Sequence, residues 1–149
     1  MSEPIRSRTP IEVRYAETDQ MGVVHHASYL IWMELARTVL CRETGHSYAE
    51  IEKMGYLLVV SGVDLRYRQG VRYGDTVEVV CWIDRLRGRA IDFSYEVWNG
   101  DQLAVTGLTK HIWTQAKSHR ACRLPEHLRD GFEAVAGSAP QATASGVSR

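Results

Sequence analysis

Apolar and polar positions change rhythm several times along this chain, and each change marks an element. Ile11, Val13 and Tyr15 alternate with Glu12, Arg14 and Ala16, which predicts a strand over residues 11–16. Gly22 ends that pattern and allows a turn. From Ala27 the chain is apolar on nearly every side for two helical turns, through Tyr29, Leu30, Ile31, Trp32, Met33, Leu35 and Ala36. The helix is expected to run to Glu43 and to stop at Gly45. A helix apolar all round has to be wrapped, usually by a sheet. Ser47 and Glu50 stand at capping-box spacing and predict a short helix from Ser47 to Met54, closed by Gly55.

After Gly55 the period shortens. The Leu- and Val-rich run from Tyr56 to Tyr67 reads as a strand, and Thr76 to Ile83 as another. Ala90 to Trp98 is the clearest: Ile91, Phe93, Tyr95 and Val97 alternate with Asp92, Ser94 and Glu96. Asn99-Gly100 makes a tight turn into a long strand from Gln102 to Thr114, and Arg87-Gly88-Arg89 marks the preceding turn. The last three strands thus predict an antiparallel meander. Leu124 to Leu128 reads as a short terminal turn of helix. Residues 1–10 are polar and expected to be flexible, and residues 136–149 are small and polar, expected to form a disordered tail. One domain over residues 11–135 remains. Its class is α+β, an antiparallel sheet of about five strands wrapped round a central helix, which is the hotdog arrangement.

Composition narrows the partners. A chain of 149 residues can close one real core. Eighteen basic and eighteen acidic residues cancel, so neither nucleic acid nor an anionic membrane surface is an expected partner. Cys41, Cys81 and Cys122 are odd in number, with no CxxC spacing, and read as reduced thiols. The N-terminus lacks the apolar core of a signal peptide, and a cytoplasmic location is expected.

The candidate chemistry lies between the first strand and the helix. Asp19 offers a carboxylate close to a helix N-terminus, where unpaired N–H groups and the helix dipole favour an anion. His25 and His26 are adjacent, so their rings diverge, and no Cys or carboxylate stands at zinc-ligand spacing; no metal is expected. Glu34 and Arg37 are three residues apart, as in an intrahelical ion pair. Arg87 and Arg89 flank a turn, and Arg66, Arg68 and Arg72 form a second basic cluster.

The stretch Thr18-Asp19-Gln20-Met21-Gly22-Val23-Val24-His25-His26-Ala27-Ser28-Tyr29, followed by Trp32, Glu34 and Arg37, resembles the 4-hydroxybenzoyl-CoA thioesterase family of hotdog acyl-CoA hydrolases. The match is specific at Asp19, Gly22, Val24, Tyr29 and Arg37; Ser28 stands where many members carry Asn. The resemblance implies hydrolysis of an acyl-CoA without a cofactor. It makes Asp19 the nucleophile or general base and the His26 backbone N–H the oxyanion donor. It places Gly22, His25 and Tyr29 against the substrate, and Arg87 and Arg89 against the CoA phosphates. It also implies a homodimer or tetramer with active sites between subunits. A thiolate whose parent thiol has a pKa of about 8.5 departs without a general acid, so one carboxylate and an oxyanion site suffice. Two rival readings are a hotdog dehydratase or hydratase, and a non-catalytic acyl-CoA-binding module.

Overall fold

A computed structural model describes residues 2–137. Five strands form one antiparallel sheet: β1 (Ser7–Glu12), β2 (Tyr56–Tyr67), β3 (Thr76–Arg87), β4 (Ala90–Asn99) and β5 (Gln102–Gln115). Their spatial order is β1-β3-β4-β5-β2, so β1 and β2 are the edges. Helix α1 (Ser28–Arg42) lies on the inner face, and α2 (Tyr48–Lys53) leads into β2. Helix α3 (Glu126–Ala136) closes one end. This is the α+β hotdog arrangement predicted from the pattern.

Alternation explains the sheet. Val77, Val79, Cys81 and Ile83 on β3 face Phe93, Tyr95 and Val97 on β4, and all are buried. α1 covers this face with Trp32, Met33, Ala36 and Leu40. The Ser7 hydroxyl donates to the Ala36 carbonyl at 3.2 Å and ties the helix to β1. The predicted capping box also forms: the Glu50 N–H donates to Ser47 Oγ at 3.1 Å, and the Ser47 N–H donates to Glu50 Oε1 at 2.7 Å.

Four boundaries differ from the pattern. The flexible N-terminus expected over residues 1–10 contains most of β1, whose Ser7, Thr9 and Ile11 pair with Cys81, Val79 and Val77. Ser7 and Thr9 take the inward positions, so a buried edge strand looks polar in sequence. The strand predicted over residues 11–16 stops at Glu12, and Tyr15–Glu17 form a 3-10 turn instead. β3 continues to Arg87 through a register shift between Ile83 and Arg85, which breaks the alternation. α3 has eleven residues rather than one turn, burying Leu128, Phe132, Val135 and Ala136. Ala136 therefore belongs to a helix, and the rest of the predicted tail, from residue 138, lies outside the described residues.

α1 is also less completely wrapped than its composition suggests. Ile31 and Leu35 are 59% and 50% exposed, so one flank of the helix is open.

Candidate active site

The link from β1 to α1 is folded by its own backbone. The Asp19 N–H donates to the Val23 carbonyl, and the Gly22 N–H donates back to the Asp19 carbonyl, both at 2.9 Å. Asp19 Oδ1 accepts the Met21 N–H at 2.9 Å, which fixes the carboxylate over the turn. Gly22 has φ 81°, a conformation that strains any residue with a Cβ. Outside the turn, the Val24 N–H donates to Val71 and the His25 N–H to Glu17, both at 2.7 Å. Asp19 is half-buried, while His25 and His26 are exposed.

The start of α1 has no side-chain N-cap from Ala27. The His25 ring substitutes: its Nδ1 accepts the Ala27 N–H at 3.2 Å. His25 and His26 stack at 4.1 Å between ring centroids, so the divergence expected of adjacent rings does not occur. The His26 carbonyl accepts the Tyr67 hydroxyl at 3.0 Å, so the edge strand β2 holds this peptide. The His26 N–H makes no hydrogen bond to any described residue. A half-buried carboxylate and a free amide N–H thus stand on one short loop.

Beneath the loop is packing. Tyr29 is buried and meets Trp32 and Tyr67 edge-on at 5.0 Å and 5.6 Å. Burial raises the Tyr29 phenol above its ordinary value.

Glu17 is the residue that sequence reasoning missed. Its buried carboxylate accepts the Arg14 N–H and the Trp32 indole N–H, both at 2.9 Å, and the Arg14 guanidinium at 3.1 Å. Burial pushes its pKa up, but these donors outweigh burial and hold it below the ordinary carboxylate value. Its carbonyl receives the His25 N–H, so Glu17 joins the β1 turn, α1 and the catalytic loop candidate. The one sequence signal was Trp32, whose buried N–H needs an acceptor somewhere.

The predicted Glu34–Arg37 ion pair is absent among the described residues. Arg37 instead turns into the core, where its guanidinium donates to the Tyr95 hydroxyl at 3.1 Å. Tyr95 and Thr109 share a hydrogen bond of 2.7 Å, and Thr109 meets His111 Nε2 at 2.9 Å. Burial and the Arg37 charge push His111 down to about 4.

The basic residues divide between the two ends of the sheet. The Asp19 loop adjoins the β2–β3 connection: Val23 bridges Arg72, and Arg72 Nη1 donates to the Gly22 carbonyl at 3.4 Å. Arg87 and Arg89 are exposed at the far end of β3, about 36 Å away by strand rise. Within one chain they do not join the Asp19 loop. Among the described residues no cluster of three His, Cys, Asp or Glu is arranged to hold a metal.

A family model described as the thioesterase-like superfamily matches residues 13–132. A Bacillus subtilis protein, YneP, proposed to be an acyl-CoA thioesterase, is 39% identical over 85% of this chain and 89% of its own. The acyl-CoA thioester hydrolase YbgC of Escherichia coli O157:H7 is 32% identical over 63% of this chain and 70% of its own. Among solved structures, a hypothetical protein from Thermus thermophilus superposes with a TM-score of 0.83 at 37% identity, over 87% of this chain and 98% of that one. A DHNA-CoA thioesterase from Staphylococcus aureus gives 0.81 at 36% identity, over 87% and 88%.

Proposed function

The chain belongs to the thioesterase-like superfamily, and from that premise we propose that it hydrolyses an acyl-CoA thioester to a free acid and CoA. The observation that carries this reading is the Asp19 loop, where a fixed carboxylate lies just before a helix start bearing a free N–H. The Asp19 carboxylate attacks the thioester carbonyl or takes a proton from the attacking water. Either route places negative charge on the carbonyl oxygen, and the His26 N–H receives it. Collapse of that adduct expels the CoA thiolate; on the water route this gives the acid directly, and on the nucleophilic route it leaves a mixed anhydride with Asp19, which a water then hydrolyses to the acid and the free carboxylate. A preorganised donor of this kind is worth about 2.7–4 kcal/mol. The finer placement, in the 4-hydroxybenzoyl-CoA thioesterase family, rests on the Thr18–Tyr29 motif.

The reading includes a partner copy. β2 is an edge strand with Val59, Val60, Val63 and Tyr67 each about half exposed. An apolar edge of that kind invites strand pairing, and a second copy on β2 would cover it in a homodimer or a tetramer. It would also enclose Tyr67 and the His26 peptide that Tyr67 holds. In such an assembly Arg87 and Arg89 serve a substrate in the partner's site rather than their own. Light scattering at micromolar concentration should show a dimer or tetramer; an active monomer contradicts the shared site.

The three cysteines are free, and burial pushes Cys41 up to about 11, which makes it an unreactive thiol suited to a cytoplasmic protein. No described helix is long and apolar enough to cross a membrane. A panel of aromatic, short-chain and long-chain acyl-CoAs, assayed for thiol release and for the free acid, tests the function. Product without free thiol would favour the dehydratase or hydratase reading, and binding without turnover the acyl-CoA-binding module.

A further inference from the structure

We propose that Glu17 is a positioning residue for the oxyanion donor: its buried carboxylate and its main-chain carbonyl together hold the His25–His26 peptide in line with α1. The inference rests on the thioesterase reading and adds to that site a residue that never touches the reacting carbonyl.

Glu17 does not act on substrate itself. It is 7% exposed, and both carboxylate oxygens are occupied. Oε1 accepts the Arg14 N–H at 2.9 Å, and Oε2 accepts the Trp32 indole N–H at 2.9 Å and the Arg14 guanidinium at 3.1 Å. Replacing a buried ion pair by apolar side chains of similar volume is often neutral or stabilising, so packing alone gives no reason for a carboxylate here.

What the residue holds is the backbone on either side of His26. The Glu17 carbonyl accepts the His25 N–H at 2.7 Å and the Ser28 hydroxyl at 3.3 Å. The Ser28 N–H in turn donates to the His25 carbonyl at 2.9 Å. Glu17, His25 and Ser28 thus close a ring of hydrogen bonds around one peptide unit, whose carbonyl is that of His25 and whose N–H is that of His26. A trans peptide is planar, so fixing the carbonyl fixes the direction of the N–H. The carboxylate decides where this clamp stands. It closes the Tyr15–Glu17 turn onto the Arg14 N–H and grips the second turn of α1 through Trp32. A donor that meets charge developing on an oxygen has to be preorganised, and a misplacement of about 1 Å costs on the order of 10²-fold in rate.

The test measures thiol release from an acyl-CoA, together with Tm, for wild type, Glu17→Gln, Trp32→Phe, the double variant and Thr44→Ala. Glutamine keeps one acceptor oxygen, which does not serve both the Arg14 N–H and the indole N–H. kcat per folded molecule should fall about tenfold in Glu17→Gln and about fivefold in Trp32→Phe, with KM held. The double variant should be no slower than Glu17→Gln alone, because both changes break the same link. Thr44→Ala loses a hydrogen bond at the opposite end of α1 and should lower Tm with kcat unchanged. A ketone analogue of the acyl-CoA, with methylene in place of sulfur, should move the His26 amide resonance of isotope-labelled protein, and Glu17→Gln should shrink that movement at saturation. Effects on kcat that multiply in the double variant, or a fall in kcat for Thr44→Ala as large as for Glu17→Gln, overturn the proposal, because general destabilisation then explains them. If Glu17→Gln does not fold, Trp32→Phe decides, and an unchanged kcat there overturns the proposal. A wild type that releases no thiol refutes the thioesterase reading. An active wild type with unchanged kcat in Glu17→Gln refutes this inference alone.

Discussion

The two ends of α1 differ in how completely they are finished. At its C-terminal end the Thr44 hydroxyl donates to the Cys41 carbonyl at 2.7 Å, and α3 packs across the gap. Phe132 meets Trp113 edge-on at 5.2 Å, and both are buried. At its N-terminal end there is no side-chain cap from Ala27, the His26 N–H is free among the described residues, and His25, His26 and Met21 face solvent. Burial, the Thr44 hydrogen bond and ring packing stabilise one end. The other keeps a donor and a carboxylate available to a ligand. A single element therefore carries stability at one end and candidate chemistry at the other.

That contrast predicts variants whose effects separate. The largest loss of stability is expected at the closed end. A Cβ on Gly131 would fall on the Thr44 carbonyl oxygen, a backbone atom that cannot step aside. Gly131→Val should cost about 3 kcal/mol or more and lower Tm by roughly 10 °C, with kcat per folded molecule unchanged. Thermal melting and active-site-normalised kinetics would show it. A fall in kcat without a fall in Tm would erase the division between the ends.

The core between the ends should sense acid. His111 has a folded pKa of about 4 against 6.5 when unfolded, because burial and then the Arg37 charge oppose its protonation. The neutral form is favoured in the fold, so this stability is full above pH 6.5 and drains away as pH falls towards 4. It amounts to about 3 kcal/mol. Denaturation midpoints measured between pH 7.5 and 4 should fall in step, and His111→Gln should flatten that slope. An unchanged slope would place the acid sensitivity elsewhere.

A smaller effect, felt mainly in kcat, is expected from the strut between β2 and the open end. Tyr67→Phe removes the hydrogen bond to the His26 carbonyl, worth about 1 kcal/mol, and leaves the ring in contact with Tyr29. kcat should drop about fivefold with KM held, while Tm falls by only about 3 °C. A change in KM alone would mean that Tyr67 touches substrate rather than orienting the donor.

Local signals were the legible ones. The Ser47 cap, the Asn99-Gly100 turn and the alternation along β4 each depend on residues a few positions apart. β1 was hidden because Ser7 and Thr9, rather than apolar residues, occupy its inward positions. α3 did carry a helical spacing, Leu128, Phe132 and Val135, but Gly131 interrupts it and a small polar tail follows. The Asp19 motif could be read as a unit because its turn is made from neighbours. Its supports could not: Trp32 reaches Glu17 across 15 positions, Tyr67 reaches His26 across 41, and Arg37 prefers Tyr95, 58 positions away, to Glu34. Long-range partners of that kind leave no mark in a local pattern.

The account stands or falls on the Asp19 carboxylate, and its most direct test is kcat for thiol release by Asp19→Asn at saturating acyl-CoA. Asparagine keeps the side-chain oxygen that accepts the Met21 N–H, so the turn and Tm should survive. The account predicts a loss of roughly 10²–10⁴-fold in kcat with KM nearly unchanged. His26→Ala, which retains the backbone N–H, should lose far less. An Asp19→Asn enzyme that keeps more than about a tenth of wild-type kcat on a good substrate would contradict the mechanism.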